Sequence, residues 1–584
     1  MRTRPFALLA LAPSLLTACE PQTELLAETR VDVDGDHYFS DEECNDEDAS
    51  AHPDATEICD GVDNDCDGEI DEDVTTAFFM DLDNDGYGDP NNVATSCGEP
   101  VDGTVNNSED CDDTRDDINP LGEEVCDGLD NDCDGLPDWG LRVPDDWAFI
   151  SDAVTRARDG ETVCVSPGTY KDNVDFAGHE VLVVGLEGPE VTIIDGNGVG
   201  PVVSFDTKEG AGAILRGFTI TGGDEAQGAG IYIRKADPTL EDLIIDGNEC
   251  YTSTNYCYGT GIYAEDSYFS ISNSKISNNT QSSSNAYYPY NYGAGVYLAR
   301  SDAEFDNVEI SGNTVIPLHG AYYGAAYGVG MYVYSSSPYA SNITISGNYV
   351  EAGDETSWYS YGVGMMFYYG GGYYDHIIVA DNWANGYTVA GAGMLIESYY
   401  LPPSFTNGVV ANNEAGDYST TYSYGGAFEA YYTTGSFENV DFVNNSAKGL
   451  NAYAGQGYFS YYSALNLNNV SFWGGSAQYS VAGGGGAFVN DTYYTPGTNT
   501  ITYSNFSNNG ENPFLNVSSP VGANGNIEGD PKYTSVTAES ALDWDLTLGA
   551  GSDLIDAGDP SIDDADGSVS DIGSRGGDGG AEWP

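Results

Sequence analysis

Four short acidic stretches near the start of the chain have the residue types and spacing of calcium-binding loops. Calcium takes several oxygen ligands, which a short loop supplies from alternate positions, often around a glycine that permits a sharp turn. Each stretch has three alternating aspartates followed by a further carboxylate. The predicted metal ligands are Asp32, Asp34, Asp36 and Glu43; Asp63, Asp65, Asp67 and Asp71; Asp81, Asp83, Asp85 and Asp89; and Asp130, Asp132, Asp134 and Asp138.

The four loops depart from a standard calcium loop in different ways. The first has an acid at position 12, Glu43, but His37 replaces the usual glycine at position 6. The other three keep that glycine and have an aspartate at position 9, but they lack the glutamate at position 12. Hard oxygen ligands favour Ca²⁺; another divalent metal, or a solvated acidic surface without metal, is the alternative. Asp564, Asp566 and Asp571 form a weaker candidate, for which a simple turn is the alternative.

Residues 31–140 contain these loops in a duplicated, acidic, cysteine-rich block. The segment CDGxDNDCDG occurs at 59–68 and again, 67 residues later, at 126–135. The block has 38 acidic residues, one Lys or Arg and few apolar residues, so it needs disulfides, metal or both in order to fold. The repeated core resembles the MopE-type metal-binding repeat of exported bacterial proteins. That resemblance implies metal binding without identifying the metal.

The first residues form a predicted targeting segment. A basic start at 1–4 precedes an apolar run at 6–16 that is too short to span a bilayer, and the sequence Leu-Thr-Ala-Cys ends at Cys19. This pattern resembles a bacterial lipoprotein signal peptide, which implies cleavage after residue 18 and lipidation of Cys19; an ordinary secretory signal is the alternative. We therefore expect a signal at 1–18, a tether at 19–30, and a location at the outer membrane or cell surface, with the lipid as the only membrane attachment.

The charge and the cysteines limit the partners and the compartment. A formal net charge of −77 excludes nucleic acid and anionic lipid headgroups as partners. Besides Cys19 there are ten cysteines, an even number that suggests disulfides in an exported chain. Their connectivity cannot be deduced from the sequence, although Cys250 and Cys257 bracket one loop and are the easiest pair to propose.

Most of the remaining chain repeats at intervals of 29 to 35 residues. A small-x-Gly segment with apolar alternation recurs nine times from Gly230 to Gly486, in phase with an apolar-x-apolar-x-x-Asn segment. Two motifs in phase with a variable period predict a β-solenoid in which stacked asparagines form a ladder. Helix 147–158 and the strands after it resemble the start of right-handed parallel β-helix (pectin lyase-like) domains. We expect a cap and first coils at 141–206, repeats at 207–527 and a closing segment at 528–584 that covers the last strand edges.

Tyrosine-rich segments precede the glycine turns in several coils. Because coil length varies there, we predict loops that form a ligand face for a glycan or a protein; packing without a ligand is the alternative. The predicted face consists of Tyr287, Tyr288, Tyr290, Tyr322, Tyr323, Tyr359, Tyr361, Tyr422 and Tyr424.

The predicted fold hosts lyases and hydrolases, but a fold does not establish an activity. From residue 236 onward there are only five Lys and Arg residues, and Asp381, Asp417 and Asp441 are scattered. We therefore predict no catalytic residues and expect a calcium-binding surface lipoprotein with a structural, adhesive or ligand-binding solenoid. A polysaccharide lyase or hydrolase is the first alternative, and a metal-sequestering protein is the second.

Overall fold

The computed structural model describes residues 31–576 except 123–125, 127–128, 134–139, 252–254, 283–287, 318–322, 353–356, 479–485, 491–496, 511–512 and 565. The chain divides into two compact units. The N-terminal module comprises residues up to 123 together with 130–136, and the solenoid unit comprises 124–129 and 137–584. In the described residues, no helix has the length and apolar character needed to cross a membrane.

The N-terminal module has little regular structure. Strand Thr76–Met80 pairs antiparallel with Val93–Ser96 on one side and with Thr104–Val105 on the other. The large apolar side chains buried among its described residues are Phe78 and Ile118. The remaining described residues form turns and bends, as expected for a segment with so few apolar residues.

The solenoid unit is a right-handed parallel β-solenoid, which confirms the predicted fold class. Each central coil contributes one strand to each of four parallel sheets, numbered here in the order in which a coil visits them. Sheet 1 contains Leu141–Val143, Thr162–Val165, Gly168–Lys171, Leu182–Gly185, Thr192–Asp195, Ile214–Thr221, Thr239–Asp246, Ser270–Ser277, Glu304–Ser311, Tyr339–Ser346, Gly372–Ala380, Pro403–Ala411, Thr434–Val443, Ala464–Asn468, Ser471–Trp473, Thr500–Thr502 and Asn505–Ser507.

The other three sheets are built from shorter strands. Sheet 2 contains Glu249–Cys250, Thr280–Gln281, Thr314–Val315, Tyr349–Val350, Trp383–Ala384, Glu414–Ala415, Ser446–Lys448 and Ser476–Gln478. Sheet 3 contains Tyr256–Tyr258, Tyr290–Tyr292, Gly324–Tyr327, Trp358–Tyr361, Thr388–Ala390, Tyr422–Tyr424 and Asn451–Ala452. Sheet 4 contains Val174–Asp175, Val203–Phe205, Ile231–Arg234, Ile262–Glu265, Val296–Ala299, Met331–Tyr334, Met365–Tyr368, Met394–Glu397, Phe428–Tyr431, Gly457–Ser460, Phe488–Asn490 and Phe514–Leu515.

Alternating side chains of sheets 1 and 4 fill one continuous core. In the register Val296↔Met331, Tyr297↔Tyr332 and Leu298↔Val333, the first and third pairs point inward and the middle pair points outward. The same inward positions in other coils mostly carry Phe, Ile, Val, Met or Ala, so apolar side chains lie over apolar side chains along most of the axis.

An asparagine ladder fixes the turn between sheets 1 and 2, as predicted. Each Nδ2 donates to the Oδ1 of the next asparagine at 2.9–3.0 Å, and each backbone N–H donates to the same oxygen. One coil has Gly475 at this position, and there Gln456 takes over: its Oε1 accepts from Asn445 Nδ2 at 2.8 Å. The ladder consists of Asn248, Asn279, Asn313, Asn348, Asn382, Asn413 and Asn445.

The two ends of the solenoid are covered differently. Helix Ile150–Arg156 packs Ile150, Ala153 and Val154 against the first coil, within the longer helix predicted at 147–158. At the other end, Phe506 N donates to the carbonyl of Ile527 at 3.1 Å and Gly529 N donates to Asn505 Oδ1 at 2.7 Å, which extends the last coil.

Beyond residue 530 the chain departs from the predicted closing role. Strands Tyr533–Ser535 and Asp545–Leu548 pair antiparallel, with the 3₁₀ turn Ala541–Asp543 between them. Trp544 and Leu546 pack on outward-facing Ala and Val side chains of sheet 1, so the segment covers the side of the solenoid. The physical reason is that these outward positions are small and apolar, and covering them removes apolar surface from water.

Candidate metal loops and an aromatic groove

The first acidic loop brings Asp32, Asp34 and Asp36 together, with carboxylate oxygens within 4.8 Å of one another. Backbone N–H groups of the loop donate to both oxygens of Asp32 and to one oxygen each of Asp34 and Asp36; for example, Tyr38 N donates to Asp36 Oδ1 at 2.7 Å. Asp34 Oδ2, Asp36 Oδ2 and both oxygens of Glu43 are buried from solvent and accept no hydrogen bond. Burial, followed by the charges of Asp36 and Asp34, raises the pKa of Glu43 to about 7.

The third loop repeats this arrangement with acids that lie farther along the chain. Asp81, Asp83 and Asp85 converge, and each has one buried oxygen that accepts no hydrogen bond. Asp110 and Asp113 join them: they are 2% and 8% exposed, and one oxygen of each, Oδ2, has no partner. Burial raises the pKa of Asp110 to about 6; the N–H of Asp112 lowers it, and the charges of Asp85 and Asp83 raise it.

The first and third loops share one design. Asp113 Oδ1 accepts from Leu82 N at 2.7 Å, and its counterpart in the other copy, Asp46, accepts from Val33 N at 2.9 Å. In both copies an aspartate triplet is joined by the acids of the following Glu/Asp-Cys-x-Asp segment. Sequence reasoning missed Asp46, Asp110 and Asp113, although the 67-residue offset that pairs Glu43 with Asp110 is visible in the sequence.

In the second loop, the acid predicted as the fourth ligand has other partners. Asp63, Asp65 and Asp67 converge, and Gly68 N donates to Asp63 Oδ2 at 3.1 Å. Asp71, the predicted ligand, instead accepts from the N–H groups of Asp60 and Gly61. A second acidic group, formed by Glu57, Asp65 and Glu72, lies beside the loop.

The remaining predicted metal ligands include one carboxylate with contacts in its own turn and residues that the structure does not describe. Asp89 Oδ1 accepts from Asn91 N and Nδ2, so this oxygen is held within its own turn. Asp130 and Asp132 are described, whereas Asp134 and Asp138 lie outside the described residues, as does Cys19.

At the C-terminal candidate, contacts within the segment hold the carboxylates. Asp564 accepts from Asp571 N at 3.2 Å, and Asp566 accepts from Ser568 at 2.7–2.9 Å. Burial raises the pKa of Asp571 to about 6, although a hydrogen bond from the backbone N–H of Asp556 acts in the opposite direction and lowers this pKa.

All ten cysteines after Cys19 form disulfides, and the pairing repeats with the sequence. The module contains Cys44–Cys66, Cys59–Cys97 and Cys111–Cys133, whereas Cys126–Cys164 and the proposed pair Cys250–Cys257 belong to the solenoid unit. Separations of 22 and 38 residues each occur twice. Because these sulfurs are oxidised, they are not available as thiolate metal ligands.

Tyrosines form two stacked columns on the outside of the solenoid. The last residues of sheet 3 strands make column A, in which Tyr258, Tyr292, Tyr327 and Tyr361 stack at 4.8–5.2 Å between ring centroids. Outward-facing residues of sheet 4 make column B, in which Tyr232, Tyr263, Tyr297 and Tyr332 stack at 5.3–5.4 Å. Met366, Leu395 and Glu429 continue column B in the next coils.

A left-handed glycine makes the two columns face each other. Gly293 follows Tyr292 with φ of +55°, and a Cβ there would lie 2.2 Å from the carbonyl oxygen of Val296. Glycines occupy the same place in the neighbouring coils. The bend brings Tyr292 edge-on to Tyr332 at 5.3 Å, so the corner between sheets 3 and 4 is an aromatic groove.

The predicted tyrosine face coincides only partly with this groove. Tyr287 and Tyr322 lie outside the described residues, and Tyr288 and Tyr323 are exposed and stacked at 6.3 Å. The prediction that the tyrosines lie in loops was wrong for five of them, because parallel pairing with neighbouring coils continues through their backbone. The tyrosines in sheet 3 strands are Tyr290, Tyr359, Tyr361, Tyr422 and Tyr424.

A pocket in this groove has a volume of about 540 Å³, and two carboxylates are among the residues that line it. Glu397 and Glu429 lie on adjacent sheet 4 strands and point outward into it. Burial raises the pKa of Glu397 to about 7, and this carboxylate makes no hydrogen bond or ion pair with any described residue. Toward the other end of the same sheet, Glu265 pairs with Arg300 at 2.6 Å.

The groups weighed for catalysis have structural partners. Arg300, one of the five Lys and Arg residues after residue 236, bridges Glu265 and Asp266 on the surface, each at 2.6 Å. Asp381 accepts from Ser540 Oγ at 2.6 Å, and buried Asp441 accepts from Tyr533 and Ser574. Both carboxylates therefore attach the C-terminal segment to sheet 1.

Comparison with known proteins identifies the repeated motif. Residues 44–72 and 110–138 each match the family model Cu-binding_MopE, described as "Putative metal-binding motif". No curated protein matches the chain. Among solved structures, the crystal structure of pectate lyase Pel9A is similar at 12% identity, covering 74% of this chain and 91% of that chain with a TM-score of 0.30.

Proposed function

We propose that this chain is a lipid-anchored bacterial surface protein whose N-terminal module binds Ca²⁺ and whose solenoid is a ligand-binding scaffold. The observation that carries the calcium proposal is the third loop, where Asp81, Asp83 and Asp85 converge, Asp110 and Asp113 lie beside them, and each of the five has a buried oxygen without a hydrogen-bond partner. Burying several like charges costs free energy unless a cation neutralises them. The module carries two MopE-type motifs, but the first and third loops lie in front of the matched segments.

The donor set favours Ca²⁺ over copper. The ligands in the described loops are carboxylate oxygens, which suit hard cations, whereas Cu²⁺ prefers imidazole and Cu⁺ prefers sulfur. The described cysteines are oxidised, and His52 is stacked on Tyr38 at 4.9 Å. When bound, the ion would supply charge neutralisation and would fix the loops; the carboxylates of Asp81, Asp83, Asp85, Asp110 and Asp113 would hold it.

Metal titration of the full chain tests this proposal. Calorimetry of the metal-free protein is expected to show Ca²⁺ binding that Asp110→Asn weakens at least tenfold, while Asp102→Asn, an exposed acid in the same module, leaves it unchanged. Cu²⁺ binding that exceeds Ca²⁺ binding would overturn the choice of metal. Absence of binding of either ion would overturn the metal role.

The location proposal has its own test. Cys19 and the preceding apolar run are expected to direct lipidation, which places the tether at the membrane and the acidic module next to it. Metabolic labelling with a fatty acid should mark the wild-type chain but not Cys19→Ala. A soluble, unlabelled wild-type protein would contradict the anchor and leave the calcium proposal standing.

A further inference from the structure

The aromatic groove differs along its length in how its acidic residues are neutralised. Near one end, Glu265 has two cationic partners from its own chain, Arg300 at 2.6 Å and Arg234 at 3.6 Å. At the other end, Glu397 has no Lys or Arg partner within the described part of the chain. The same sheet therefore contains one carboxylate that is paired with cationic side chains of its own chain and one that is not.

The surroundings of Glu397 match what recognises an organic cation. Tyr327 and Tyr368 lie close enough to be affected by its charge, and Tyr361 is similarly affected by Glu429. Tyr332, Met366 and Leu395 form the apolar floor and are 4–5% exposed. Tyrosine faces attract ammonium and guanidinium groups, and a neighbouring carboxylate adds a direct ion pair.

The burial of Glu397 favours a positively charged ligand at this end of the groove. A carboxylate held in an apolar setting is costly to ionise, as the pKa of about 7 for Glu397 indicates. A cation placed between Glu397 and Glu429 would offset that cost, whereas a neutral sugar would not. The net charge of −77 would in addition attract basic partners over a distance.

We infer that the groove binds a lysine or arginine side chain of a partner protein, with the cationic head between Glu397 and Glu429 and the alkyl stem on the apolar floor. This inference rests on the proposed ligand-binding role of the solenoid and specifies the ligand. The proposed ligand is a basic segment of a protein, and the experiment below also tests a glycan as the alternative ligand.

The test compares two blocked peptides on the full, calcium-loaded chain in physiological salt. The peptide Gly-Gly-Arg-Gly-Gly is expected to bind at least tenfold more tightly than the same peptide with norleucine at its centre. Glu397→Gln combined with Glu429→Gln should abolish that preference. Glu249→Gln combined with Glu351→Gln removes the same charge at exposed sites near sheet 2 and should change the affinity less than twofold.

A second pair of variants separates recognition from folding. Tyr361→Phe keeps the aromatic face and should retain peptide binding, while Tyr361→Leu should lose it; thermal melting checks that both variants are folded. Equal binding of the arginine and norleucine peptides, or no binding of either, would overturn the inference. Tighter binding of a neutral oligosaccharide at the same tyrosines would also overturn it, but would leave the scaffold role intact.

Discussion

The two units of this chain differ in the interactions that stabilise their folds. In the described part of the N-terminal module, Phe78 and Ile118 are the large buried apolar side chains, and three disulfides together with carboxylate loops surround them. The solenoid instead buries an apolar column that runs through every coil. In the module the charge is concentrated in loops of converging carboxylates, whereas the acidic side chains of the solenoid lie at its surface, in paired sites or, as Glu397 does, in the groove.

Removing the metal is the strongest way to break this comparison. Chelation with EDTA is expected to unfold the module, because uncompensated carboxylates repel each other and no large core holds them. The solenoid should keep its β-sheet circular dichroism. Limited proteolysis followed by mass spectrometry should then place new cleavage sites within residues 31–133. Cleavage spread equally over the solenoid repeats would contradict the separation into two folding strategies.

The asparagine ladder is the corresponding weak point of the solenoid. Asn348→Ala removes the acceptor of Asn313 N–H and the donor to the carbonyl of Ile310, leaving both groups buried. Unsatisfied buried groups of this kind cost about 1–3 kcal/mol each, so we expect a loss of about 3–5 kcal/mol in the free energy of unfolding. Asn466→Ala, an exposed strand asparagine, should cost less than about 0.5 kcal/mol. If a denaturant titration shows the same loss of unfolding free energy for both variants, the ladder does not contribute specifically to stability.

The ladder was predictable from sequence because its signal is repeated once per coil. A period of 29 to 35 residues with Asn in phase leaves few other arrangements. Gln456 was not predictable, because it reaches the gap at Gly475 from a different part of the coil. The same limit applies to Asp110. It lies close to the third loop in the structure, but two antiparallel strands separate it from that loop in the sequence.

The tyrosines show a different limit of sequence reasoning. A variable spacing before the glycine turns predicts loops, yet the added residues lie before the sheet 3 strands and the tyrosines themselves pair in register. Column B was visible as the middle residue of the triplets at 231–233, 262–264, 296–298 and 331–333. Nothing in the sequence shows that a left-handed glycine turns the two columns toward each other.

Removing one disulfide from each unit allows the stabilities of the two units to be compared. Replacing both Cys59 and Cys97 by alanine opens a 38-residue loop, and the loop-entropy model gives a cost of about 4 kcal/mol. The pair Cys250 and Cys257 closes only 7 residues, for which the same model gives about 2–3 kcal/mol. Melting in calcium should show a module transition that shifts more than the solenoid transition does. A larger effect from the Cys250 and Cys257 pair would reverse this ranking.

The smallest expected effect is a pH dependence that originates in the groove. Burial raises the pKa of Glu397 from 4.5 to about 7, so between these values the folded chain binds more protons than the unfolded chain. The contribution of Glu397 to stability is therefore fully present below pH 4.5 and is lost as the pH rises toward 7. Glu397→Gln should become more stable relative to wild type across this window, while Glu351→Gln, which is exposed, should not. Because many other acids titrate, the measured quantity is the difference between variant and wild type in the solenoid melting temperature, in saturating calcium. A difference that does not change with pH would mean that Glu397 is already neutralised by a neighbour, as Glu265 is by Arg300.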